Sequence, residues 1–156
     1  MGRGFDNIDR AILDILQTDA ERPVSAIAEA VGLTPTPCWR RIRRMEAAGL
    51  IRGRVVVVDP TLANVGLIIF IGIKAPRHEM AWLDKFRQVI AGIDEIVEAY
   101  RLTGQTDYIL KMVVPDVATY DKIYKRMISE IEFLDVVSSL SMEEIKFRHA
   151  LPTGYL

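Results

Sequence analysis

Cysteine is nearly absent from this chain. Cys38 stands alone among 156 residues, so no intrachain disulfide can staple the fold and packing must hold it. Histidine is almost as scarce: His78 and His149 are isolated, and neither sits at a metal-ligand spacing. No apolar run approaches the length needed to span a bilayer. The opening MGRGFDNIDR is charged and has no apolar stretch, which argues against a secretory signal, and the single cysteine fits a reducing cytoplasm. The sequence also lacks a glycine-rich phosphate loop, a nucleophile elbow and a metal cluster. No catalytic residue, metal or cofactor is therefore expected, and an enzyme reading finds little support.

Net charge is small as well. At −1 it argues against a nucleic-acid partner until its distribution is considered. Residues 1–54 carry nine Arg against seven acids, and the remainder is acidic. Within 39–54 stand Arg40, Arg41, Arg43, Arg44, Arg52 and Arg54, with Glu46 as the one acid. A local cationic stripe on a near-neutral protein suits phosphate contact, and guanidinium suits bidentate contact with phosphate and guanine edges.

The stripe falls on a recognisable scaffold. Ile8, Ala11, Ile12, Ile15 and Leu16 recur at helical spacing, and Val24, Ile27, Ala28 and Val31 repeat the pattern on a second, shorter helix. Gly32 is free to take positive φ and end that helix. Thr34 is placed to cap a third helix with Pro35 at its first position, and that helix runs to about Ala48 and ends at Gly49. Two helices joined by a tight Gly-Leu turn read as a helix-turn-helix. On the third helix, Cys38, Ile42 and Met45 share the core side. Thr36, Arg40, Arg43, Arg44 and Ala47 fall opposite, and Arg41 lies on a flank nearer the core. DNA contact is therefore assigned to Thr34, Thr36, Arg40, Arg41, Arg43 and Arg44, with Arg40, Arg43 and Arg44 foremost; Arg52 and Arg54 are candidates for a wing on the DNA backbone. The alternative is a merely solvated cationic face. Cys38, beside Ile42 and Met45, reads as core rather than as a redox sensor.

Residues 54–58 (Arg-Val-Val-Val-Val) are strand-like, and Asp59-Pro60 stops them. The expected division is a helix-turn-helix domain over 1–54, a strand and linker over 55–64, and a second domain over 65–156. In that second domain strands are expected at 67–74, 96–102, 108–114 and roughly 136–147, with helices at 79–90 and after Asp116. The order β-α-β-β-α-β is a ferredoxin-like split, so the fold class is α+β: a winged helix-turn-helix followed by a ferredoxin-like domain. Both helices of that fold cover one sheet face. Leu67–Ile71 is nonetheless apolar at every position, as in strands buried on both sides. A second subunit, most economically a two-fold copy, is expected on the other face, and such a dimer suits two half-sites of a pseudo-palindromic operator in double-stranded DNA.

The stretch Gly32-Leu33-Thr34-Pro35-Thr36-Pro37-Cys38-Trp39-Arg40-Arg41-Ile42 closely resembles the recognition region of the Lrp/AsnC, or feast/famine, transcriptional regulators. Asp9–Leu13 resembles the family's first helix, Glu46–Ile51 its helix end, and Thr103-Gly104-Gln105-Thr106-Asp107-Tyr108 the T-G-x-x-D-Y hairpin of its ligand-sensing domain. Glu144-Ile145-Lys146 with Ala150-Leu151-Pro152 resembles the C-terminal strand. Thr34 stands where family members commonly have Ser, and residues 153–156 extend past the family's usual end with no function assigned. The resemblance implies a DNA-binding regulator whose dimers assemble further, often to octamers, with an amino-acid effector bound between dimers. On the residues alone, 103–106 is an ordinary hairpin turn. The resemblance makes Gly104, Gln105, Thr106 and Asp107 effector contacts, with Tyr100 a weaker candidate. Two other readings stay open: an architectural, DNA-wrapping protein without an effector, and a small enzyme or metabolite carrier with an incidental helix-turn-helix.

Overall fold

The computed structural model describes residues 4–156; the first three residues of the expected DNA-binding domain lie outside them. Two compact units emerge. One runs to Val56 and takes in Ile145–Leu156, and the other is Val57–Glu144. The chain therefore crosses between units twice, and its last twelve residues return to the helical unit instead of ending with the sheet.

The helical unit contains α1 (Asn7–Thr18), α2 (Val24–Ala30) and α3 (Pro35–Ala47). A reciprocal capping box starts α1: the Asp6 carboxylate accepts from the Ile8 and Asp9 N–H groups, and the Asp9 carboxylate accepts from Asp6 N–H at 2.9 Å. Gly32, at φ +72°, closes α2. Its N–H donates to Glu29 and the Leu33 N–H to Ala28, so the helix ends in a doubly bonded left-handed turn. Gly49 repeats this geometry after α3, with its N–H on Glu46 and that of Leu50 on Met45. Thr34 is the residue before α3, but its side chain makes no capping bond. Ile12, Ile27, Ala28, Cys38, Ile42 and Met45 are buried together, so the inner face of α3 is the expected one.

The sheet unit contains β1 (Leu67–Lys74), α4 (Met80–Ala91), β2 (Ile96–Arg101), β3 (Tyr108–Val114), α5 (Val117–Glu130) and β4 (Asp135–Leu140). The strands lie in the order β2-β3-β1-β4, all neighbours antiparallel, which is the ferredoxin-like arrangement. Ile69, Ile71 and Ile73 of β1 and Leu110, Met112 and Val114 of β3 face the helices in one buried core with Phe86, Val89 and Met127. Trp82 stacks on Phe86 at 5.1 Å and is packing. The alternate residues of β1 are different: Ile68 is half-buried and Phe70 is 39% exposed on the second sheet face, with Val137 of β4 59% exposed beside them.

Two expected strands are shorter or missing. Val55–Val58 are exposed and join no ladder, so the wing is not formed, and Arg52 and Arg54 stand on irregular backbone. The last strand stops at Leu140 rather than continuing to Phe147. Its register against β1 ends there, and after Ser141, whose N–H bonds Ile68, the chain leaves the sheet edge.

Candidate nucleic-acid interface and effector loop

α3 is fixed to α1 by ions as well as by packing. Asp9 is fully buried, and both of its carboxylate oxygens are used by α3: Arg41 reaches one at 2.9 Å, and Arg44 pairs with the other. Arg41 also bonds Asp6 at 2.7 Å. These two carboxylates, Asp6 first, make the Arg41 guanidinium hold its proton more tightly than usual. In turn the Asp9 N–H and then Arg41 draw the Asp6 carboxyl down from its ordinary 3.8 to about 2.

The arginine stripe is therefore split. Arg44, expected to point outward, folds back over the edge of α3 to Asp9 and lies 5.3 Å above the Phe5 ring. A long side chain can leave the direction its Cα suggests when a buried carboxylate is in reach. Arg41 stays on the core flank, as its position on the helix indicates. Arg40 is exposed and makes no ion pair among the described residues. Arg43 is exposed, lies over the Trp39 ring at 5.7 Å, and is lightly tethered to Glu46 at 2.9 Å. Thr34 and Thr36 are exposed at the N-terminal end of α3. Arg52 and Arg54 line an open hollow of about 260 Å³ with Glu46, Ile51 and Gly53, and Arg54 reaches Glu46 at 3.4 Å. Asp6 and Asp9 are the site residues that sequence reasoning did not single out. Their signal was the capping-box spacing, two acids three apart at the head of α1. Cys38 is buried, and burial pushes its thiol up, which favours the unreactive form.

The effector candidates gather between β2 and β3, except one. Gly104 takes φ +117°, a backbone state that side chains rarely adopt. Leu102 N–H bonds the Asp107 carbonyl at 2.8 Å, and Asp107 N–H bonds Ile73 at 3.0 Å. The Asp107 carboxylate accepts the Ala75 N–H at 2.9 Å through Oδ2. The loop is thus pinned to the end of β1. Thr106 packs over Gly72: a Cβ on that glycine would come within 3.3 Å of the Thr106 methyl. Gly104 and Gln105 remain exposed. Tyr100 stands apart on the second sheet face, where its hydroxyl donates to Glu98 at 2.8 Å beside the Lys111–Glu98 pair. That hydrogen bond lowers the Glu98 carboxyl and raises the Tyr100 phenol.

A two-helix reading head joined in one chain to a ferredoxin-like sheet with a glycine-turned loop defines a class: a DNA-binding regulator with a ligand domain. The comparisons with known proteins agree. Residues 5–46 match the AsnC-type helix-turn-helix domain, and residues 68–151 match the Lrp/AsnC ligand binding domain. The chain is 41% identical over 152 residues to the glutamate uptake regulatory protein of Zymomonas mobilis subsp. mobilis, covering 97% of this chain and 93% of that protein. The crystal structure of an AsnC family transcriptional regulator from Agrobacterium tumefaciens superimposes with a TM-score of 0.94 at 47% identity, covering 97% of this chain and 99% of that one. A transcriptional regulator from Neisseria meningitidis, solved as its L-Met complex, superimposes with a TM-score of 0.92 at 29% identity, covering 97% and 98%. The chain belongs to the Lrp/AsnC family of transcriptional regulators and is a DNA-binding regulator, not an enzyme. Among the described residues, no helix is long and apolar enough to cross a membrane.

Proposed function

We propose that this regulator reads a two-fold symmetric DNA site through α3 and responds to a free amino acid held at the 103–107 loop. The observation that carries the first half is the split of the arginines. Asp9 engages Arg41 and Arg44, which leaves Arg40 and Arg43, with Thr34 and Thr36, on the open side of a helix whose inner side is buried. A helix presented in this way suits the major groove. Arg41 and Arg44 position it, and Arg52 and Arg54 add backbone contacts from irregular chain.

The second half rests on chemistry and on a relative. Gly104 turns the backbone so that its neighbours' N–H groups can meet an α-carboxylate, and Asp107 keeps Oδ1 for an α-ammonium group. The Neisseria regulator was solved with L-methionine. Tyr100, on the sheet face, takes at most a peripheral part. The second face, with Phe70 and Val137 exposed, is covered by another copy of the chain, and dimers assemble further, to octamers by family likeness. The setting for this work is the cytoplasm.

A thermal-shift panel against the twenty amino acids, run beside a DNA mobility shift, tests the reading. A ligand that binds the folded state alone raises Tm by mass action. A shift with one or two amino acids, and DNA binding that they modulate, supports it. A flat panel in a protein that still binds DNA replaces it with the architectural reading.

A further inference from the structure

The segment after β4 does something that neither the reading head nor the loop accounts for. Residues 145–156 belong to the helical unit, and the stretch 151–156 lies along α1. Gln17 makes a reciprocal pair with the Leu151 backbone: its Oε1 accepts the N–H at 2.7 Å, and its Nε2 donates to the carbonyl at 3.2 Å. About one turn earlier on α1, Asp14 Oδ1 accepts from the Thr153 hydroxyl at 2.9 Å. One turn earlier again, the Arg10 guanidinium donates to the Leu156 carbonyl. Arg10, Asp14 and Gln17 are spaced i, i+4, i+7, so one helix face carries all three attachments and the segment runs antiparallel to α1.

The attachment is polar and incomplete. Leu151 is 73% exposed and Tyr155 93% exposed, so little apolar surface is buried. Arg10 Nε is buried without a hydrogen-bond partner, a cost carried by the docked state. Hydrogen bonds that largely replace those to water, set against the ordering of six residues and an orphaned donor, leave docking only modestly favoured, by about tenfold over the released state. The helix so gripped is the one that holds α3, because Asp9, the neighbour of Arg10, receives Arg41 and Arg44.

We propose that residues 151–156 form a releasable strap on α1, docked by Arg10, Asp14 and Gln17, which braces the α1–α3 clamp and loosens it on release. The strap follows β4 after the irregular segment 141–150, β4 is paired with β1, and the end of β1 is bonded to the 102–107 loop. It is thus the two-state element through which a change at the loop can bias the reading head. Its regulatory meaning rests on the DNA-binding reading of α3. Its docking does not.

Hydrogen exchange measured by mass spectrometry on the full chain tests it, comparing the wild type with Gln17→Ala and the milder Thr153→Val. Gln17→Ala removes two hydrogen bonds, so exchange around Leu151 should rise about tenfold and exchange along α1 severalfold, with β1 unchanged. If the Leu151 amide already exchanges freely in the wild type, or if α1 exchanges in both variants at the wild-type rate, the strap does not brace the helix and the proposal falls. A mixed-sequence duplex at low salt supplies the second readout: release should change affinity by about threefold or more. Unchanged affinity with a demonstrably released strap overturns the switch. Failure of every version, wild type included, to bind the duplex removes the DNA reading instead, and exchange still decides the strap.

Discussion

Arg41 of α3 meets Asp9 of α1 at 2.9 Å, and Asp9 is fully buried although it carries a carboxylate. A buried charge persists only when its lone pairs are used, and here Arg41, Arg44 and the Asp6 N–H use them. α3 is therefore oriented by an ion cluster as well as by its apolar face.

Asp9→Ala should be the costliest single polar change in the helical unit. It strips both guanidiniums of a partner and removes half of the capping box. Loss of one partner of a buried pair costs about 3–5 kcal/mol, but Arg41 and Arg44 are partly hydrated, which discounts the figure to about 2 kcal/mol. Arg44→Ala should cost less than about 1 kcal/mol because that side chain is half exposed. Denaturant unfolding of the two variants checks the order; Asp9→Ala within about 0.5 kcal/mol of the wild type would mean that packing alone orients α3.

Arg40→Ala and Arg43→Ala should show the opposite profile. Neither side chain supports the core, so stability should stay within about 0.5 kcal/mol. DNA affinity should fall, and each arginine–phosphate pairing removed should reduce the steepness of log K against log salt by about 1. Titrations of a duplex at several salt concentrations read both quantities. Normal affinity and slope in the double variant would place the DNA on another surface.

Much of this was legible in the sequence, and the exceptions share one cause. Gly32 and Gly49 marked helix ends because a left-handed turn needs them there, and the ferredoxin-like order followed from the alternation of apolar periods. The path of Arg44 was not legible. It depends on Asp9, 35 residues away, and a helical projection places the Cα without the partner that captures the head group. Val55–Val58 have β-branched composition, but a strand exists only with a neighbour to bond, and this chain offers none among the described residues. The strap was equally hidden: Gln17 and Leu151 are 134 residues apart, and nothing in either neighbourhood announces the other.

The Asp6 carboxyl gives a pH signature. Its value is lowered to about 2 in the folded chain, chiefly by the Asp9 N–H and then by Arg41. A carboxylate depressed by folding stabilises the fold fully above its unfolded value, ordinarily 3.8, and that contribution is lost as pH falls toward 2. The unfolding midpoint should therefore drop through this window, and Asp6→Asn, which can still cap α1, should flatten that part of the profile. A variant with an undiminished drop would assign the acid sensitivity to other carboxylates, of which Asp116, drawn down by the Thr119 N–H, is the next to change.

Gly104 and Gly72 test the loop from two sides. Gly104 holds φ +117°, so Gly104→Ala imposes strain of about 1 kcal/mol or more unless the turn rearranges. Gly72→Ala leaves the loop sequence untouched but brings a methyl within 3.3 Å of Thr106, a β-branched residue with little freedom to step aside. Both should move the backbone proposed to meet the effector while leaving α3 alone. The expected outcome is a smaller amino-acid thermal shift in each variant, with DNA binding in the absence of effector retained. The pairing matters, because Gly104→Ala by itself could act through loop stability, whereas Gly72→Ala presses on Thr106 from β1 and leaves the loop sequence unchanged. Wild-type shifts in both variants would remove residues 104–107 from the effector site and turn attention to Tyr100 and the open sheet face.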